Sequence, residues 1–198
     1  MEKNLAYASE YSLLANKQIF HNKVIRLNVK WERPRKGWIK ANIDGAFKID
    51  SLEGGIIGVF RDLKGRWMMG FLMKIQAASA LHTELQALLH TLRLIIKEHM
   101  FPIEVDTDAT KIINIINKDY HANDIIFQKC RLFVEEASRQ GTILFKHSFR
   151  EGNMVAHVLA KATLRNTSYN NLCTSVQLPD PVIDVYGKDQ DGYVYARN

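Results

Sequence analysis

Residues 38–47 alternate in character: Ile39, Ala41 and Ile43 fall on one side, Lys40, Asn42 and Asp44 on the other. That period of two predicts a strand. Residues 54–61, with Ile56, Ile57, Val59 and Phe60, and the apolar run 67–75 predict two more strands. Asp62-Leu-Lys-Gly65 between them is a hairpin turn signal. The spacing then changes. Leu81, Leu85, Leu88, Leu89, Leu92, Ile95 and Ile96 recur at three and four residues, which predicts an amphipathic helix over 80–98. A short apolar strand at 101–108, entered through Pro102, precedes an isoleucine-rich helix at 109–117. A second helix at 124–140 starts at Asp124 as N-cap and stops at Gly141. A strand at 142–148 and a helix at 154–165 complete the order βββαβααβα, an α/β fold with a mixed sheet and helices on both faces.

The flanks are less patterned. Residues 1–30 carry a weak helical spacing (Leu5, Tyr7, Tyr11, Leu13, Leu14) and read as an N-terminal extension or linker. The domain proper is expected over 31–165, led in by a basic stretch with Pro34 and Gly37. Residues 166–198 read as a polar C-terminal tail, with Pro179, Pro181 and Gly192, looping over the surface. At 198 residues and 46% hydrophobic content the chain suits one domain with appendages. A net charge of +6 favours polyanionic partners. Cys130 and Cys173 belong to no CxxC or Cys/His cluster, which argues against zinc fingers and a disulfide framework. Reduced thiols, no signal-peptide order and no apolar run of the ~20 residues that span a bilayer predict an intracellular protein of nucleus or cytoplasm, not secreted and not in a membrane.

Three acids occupy strategic places. Asp44 lies on the first strand, Glu84 in the first turns of the long helix, and Asp108 at the exit of the fourth strand. Carboxylates converging there repel one another unless cations bind between them. Mg²⁺ suits such hard oxygen donors, and two ions about 3.5–4 Å apart can activate water and stabilise a leaving phosphodiester oxygen. Each acid also has a plain reading: Asp44 as a strand terminator, Glu84 as a helix-dipole acid, Asp108 as a helix cap. Asp106 competes with Asp108, but only Asp108 lies at the strand exit. Gly54, Gly55 and Gly58 either ease strand twist or let backbone approach a minor groove. Arg33, Arg35, Lys36 and Lys40 are either a solvated face or a phosphate track.

Taken in order, Asn42-Ile-Asp44-Gly45, Gly54-Gly-Ile-Ile-Gly58, Arg61-Asp62…Gly65, Thr83-Glu84-Leu85…Ala87, Thr107-Asp108 and Arg150-Glu-Gly-Asn153-Met-Val-Ala156-His157-Val-Leu159-Ala160 resemble the type 1 ribonuclease H domain, in the plant branch related to retrotransposon modules. The resemblance covers about residues 31–165. It implies a ribonuclease H-like fold with a five-stranded mixed sheet ordered 3-2-1-4-5. It implies endonucleolytic cleavage of the RNA strand in RNA–DNA hybrids, with two Mg²⁺ or Mn²⁺ ions. No small-molecule cofactor is expected, and the sequence leaves the oligomeric state open, with a monomer the expected one. Carried over by position, Asp44, Glu84 and Asp108 would be metal-binding catalytic acids. His147 would be a mobile histidine aiding proton transfer or product release, its bland alternative being a solvated surface residue. His157 stands where the family has a fourth acid. An imidazole offers one softer nitrogen and no charge in place of two hard oxygens, so the resemblance implies a site weakened toward Mg²⁺. The rival expectation is a non-catalytic nucleic-acid-binding module derived from a retroelement.

Overall fold

The computed structural model describes residues 27–117, 124–166 and 168–197. The helical spacing expected before residue 27 lies outside them. The strands are β1 (Leu27–Val29), β2 (Ile39–Lys48), β3 (Glu53–Arg61), β4 (Trp67–Gln76), β5 (Ile103–Thr107), β6 (Ile143–His147), β7 (Cys173–Ser175) and β8 (Tyr195–Arg197). The helices are α1 (Ala80–Lys97), α2 (Thr110–Asn117), α3 (Ile125–Gln140), α4 (Met154–Asn166) and α5 (Ile183–Gln190). Contacts divide the chain into a large unit, Val29–Tyr195, and a small one of residues 1–28 and 196–198. β1 and β8 pair as a two-stranded sheet of their own.

The large sheet runs β6-β5-β2-β3-β4-β7. Its first five members in sequence keep the expected order 3-2-1-4-5. β2, β3 and β4 form an antiparallel meander, and β5 and β6 add in parallel beside β2. The sixth strand comes from the segment expected to loop over the surface: β7 pairs with β4 through Gly70, Phe71 and Leu72. A ten-residue β4 would otherwise present an open edge, and pairing satisfies part of it.

The alternation along β2 and β3 divides the core. Ala41, Ile43, Ile56 and Phe60 face α1, where Leu85, Leu88, Leu92 and Ile95 are buried. Ile57 and Val59 face the other way, against Val155, Ala156, Leu159 and Ala160 of α4. Burying a side chain such as Leu88 contributes about 1.5–3 kcal/mol, and α1 buries five leucines and an isoleucine in this way. α1 starts where the Ser79 side chain accepts from His82 N at 3.1 Å, and α3 where Asp124 accepts from Ile126 N at 2.9 Å. Cys130 Sγ donates to Leu85 O across the α1–α3 contact, and burial pushes its thiol up to about 12. This cysteine is structural and unreactive. The β3–β4 turn uses Asp62 as expected: its Oδ1 accepts from Lys64 N and Arg66 N, and Gly65 takes φ +78.

At the start of β2 the polar face is closed by charge. Lys40 is buried and bonds Asp106 at 2.8 Å and Glu104 at 3.5 Å, so it does not track phosphates along a solvated face. Arg35 reaches the same Glu104 at 3.3 Å. Arg61, fully buried at the end of β3, bonds Asp189 of α5 and Asn42 at 2.7 Å each and stacks on Trp31 at 3.8 Å. Burial disfavours both Arg61 and Asp189 as ions, and their mutual attraction offsets only part of that cost. Tyr186 ties α5 to the β3–β4 turn by accepting from Trp67 N and donating to Gly65 O.

Candidate metal centre

Asp44 sits mid-strand on β2, which is flanked by β3 and β5. The next residue, Gly45, sets how near α1 can come. A Cβ there would lie 2.7 Å from Thr83 C and 2.8 Å from Glu84 N, so only glycine admits the helix backbone at this distance. That approach brings Glu84 beside Asp44. Asp108, one residue past the end of β5, arrives from the parallel neighbour. One ligand oxygen from each of Asp44, Glu84 and Asp108 can be chosen so that all lie within 4.8 Å of one another.

The three carboxylates strain one another electrostatically. Burial, then the charges of Asp44 and Asp108, raise Glu84 well above the usual carboxylate range. Its Oε2 is buried without a hydrogen-bond partner. Burial and the charge of Asp44 likewise raise Asp108, with Arg150 opposing from 3.4 Å. An orphaned buried oxygen amid three clustered acids is the donor set that suits a hard divalent cation. Asp106 is not part of it, because Lys40 holds it.

His157, in the first turn of α4, places Nδ1 3.0 Å from Asp44 Oδ2. The position is fixed by Asn153, whose Nδ2 donates to Ile43 O at 2.9 Å and pins the start of α4 to β2. Gly55 helps on the same face: a Cβ there would meet Ala160 O at 2.4 Å, so the glycine lets α4 sit close. Gly54 and Gly58 are likewise filled against Thr83 and Phe71. These glycines serve helix packing, not an open groove. His147 ends β6 level with Thr107, exposed, its ring edge-on to Phe149 at 5.5 Å, and lies outside the carboxylate cluster. Asn153 and Arg150 carry no signal of their own in the sequence beyond the motif that contains them.

A family model described as Reverse transcriptase-like matches residues 42–163, more than half of the chain. The chain belongs to this family, as a ribonuclease H domain. Among curated proteins, the domain is 27% identical over 135 residues to "Putative ribonuclease H protein At1g65750" of Arabidopsis thaliana. That match takes in 67% of this chain and 21% of the relative, so the chain spans about a fifth of that protein's length. Among solved structures, RNase H1 from the halophilic archaeon Halobacterium salinarum NRC-1 is 20% identical with a TM-score of 0.59, over 66% of this chain and 100% of that one. LC11-RNase H1, solved in complex with RNA/DNA hybrid, is 19% identical with a TM-score of 0.54, over 63% and 94%. At these identities the likeness establishes the ribonuclease H fold.

Proposed function

We propose that this ribonuclease H domain is a divalent-cation-dependent endonuclease that hydrolyses the RNA strand of RNA–DNA hybrids. The observation that carries the reading is the cluster of Asp44, Glu84 and Asp108, with Glu84 Oε2 buried and unpaired. Asp44, Glu84 and Asp108 would hold the cation, Mg²⁺ or Mn²⁺. Bound there, a divalent ion would supply an activated water and charge stabilisation for the leaving oxygen. Gly45 sets the spacing between Asp44 and Glu84, and Asn153 holds α4 against β2. Arg150, beside Asp108, offers a positive charge to a substrate phosphate. His147, exposed at the end of β6, is the proton carrier in this mechanism. The hybrid as substrate is supported by family membership, by the net charge of +6 and by the likeness to a ribonuclease H1 solved with such a duplex.

A second reading has its own support. His157 engages the carboxylate that the cation needs, which favours a module that binds nucleic acid without cleaving it. A labelled hybrid incubated with Mg²⁺ or Mn²⁺ separates the two, with Asp44→Asn as control. Product that requires metal and Asp44 supports the nuclease. Hybrid binding that EDTA leaves unchanged, with no product under either metal, overturns it in favour of the binding module.

A further inference from the structure

The Asp44 carboxylate is already committed on both oxygens. Oδ1 accepts from Gly45 N at 2.9 Å, and Oδ2 faces His157 Nδ1 at 3.0 Å. At that distance the two atoms share a hydrogen bond, so the imidazole edge of His157 occupies the Oδ2 side of Asp44. An imidazole held there offers at most one nitrogen and no anionic oxygen to a cation. The side chain is only 15% exposed, and Asn153 fixes the helix that carries it.

A pair of ions about 3.5–4 Å apart shares a carboxylate and needs further anionic oxygens on each side of it. On one side of Asp44 stand Glu84 and Asp108. On the other, where the resemblance leads one to expect an acid, stands the imidazole of His157.

We propose that this site holds a single divalent cation, between Asp44, Glu84 and Asp108, and that His157 blocks the second position by occupying the Oδ2 side of Asp44. This rests on the metal-binding reading above. Mn²⁺ binding to the full chain tests it, followed by electron paramagnetic resonance with and without a hybrid whose RNA strand is 2′-O-methylated and resists hydrolysis. About one Mn²⁺ bound per chain is expected in both states, with no spectrum of an exchange-coupled pair. His157→Asp should raise the number to two in the presence of the duplex, with a coupled-pair spectrum. Two ions or a coupled pair in the unaltered chain overturns the proposal while leaving the metal reading intact. A count that stays at one in His157→Asp overturns the role given to His157. No bound Mn²⁺ at all overturns both the proposal and the metal reading.

Discussion

Replacing Gly45 by alanine adds one methyl group at the closest approach of α1 to β2. Built there, the carbon lies 2.7 Å from Thr83 C, 2.8 Å from Glu84 N and 2.8 Å from Thr83 Oγ1. Two of those three atoms are backbone, so no rotamer change clears them. Ordinary carbon contacts sit at about 3.5–4.0 Å, which requires the first turns of α1 to retreat by roughly 1 Å. Gly45 has no positive φ, so alanine suits the backbone, and lost chain entropy in the unfolded state favours it by about 0.4–1 kcal/mol. Overpacking of this kind costs about 1–3 kcal/mol. The steric effect wins, and a net loss of about 1–2 kcal/mol should lower the melting temperature by roughly 2–8 °C for a domain of this size. Glu84 rides on the displaced turn, and a misplacement of about 1 Å can cost up to 10²-fold at a reacting site. Mn²⁺ affinity and hybrid cleavage should therefore fall together with stability. Gly187 in α5 is the control, since an added Cβ there meets nothing within 4 Å. Gly187→Ala should be neutral or stabilising by about 0.5–1 kcal/mol. Thermal melts and Mn²⁺ titrations of both variants check this. A Gly45→Ala chain as stable as the parent, with unchanged Mn²⁺ affinity, refutes the close-approach argument.

Asp189→Asn leaves the Arg61 guanidinium buried without its ionic partner, which should cost about 3–5 kcal/mol in urea unfolding. A loss below about 1 kcal/mol shows that the pair does not hold α5 down. Glu53 is lowered to about 2 by hydrogen bonds from Tyr169, Lys74 and Ser51. Its contribution to stability is therefore complete above about pH 4.5 and lost as pH falls through 2. Glu53→Gln should lower stability at pH 6 and converge with the parent near pH 2; a difference that persists unchanged through the acid range contradicts the assignment. Asp44→Asn should abolish Mn²⁺ retention by the folded chain, and retention equal to the parent places the cation elsewhere.

The strand order was legible because alternation in β2, β3 and β4 and the α1 stripe follow from local spacing, and parallel additions then have few options. Asp108 could be preferred over Asp106 from position alone, since a strand-exit acid faces outward. Lys40 was not legible. On an alternating strand it reads as solvated, and the acids that bury it, Glu104 and Asp106, arrive on a strand far along the chain. The same holds for α5. Asp189 looks like any surface acid until Arg61, 128 positions away, is seen beneath it. Gly45 and Gly55 have roles set by α1 and α4, which no local pattern states. His157 shows the reverse case. Its position was visible, but only geometry reveals that its nitrogen points at Asp44.

Arg61 also separates two boundaries that are easily taken for one. The stretch shared with the family ends at residue 163, while the counter-charge for this guanidinium comes from Asp189. A fragment trimmed to the shared stretch would keep Asp44, Glu84, Asp108 and His157 but lose the carboxylate that pairs with this guanidinium. Its weakness would then be mistaken for a defect of chemistry. For this chain the electrostatic boundary of the domain, not the evolutionary one, determines what has to be kept together.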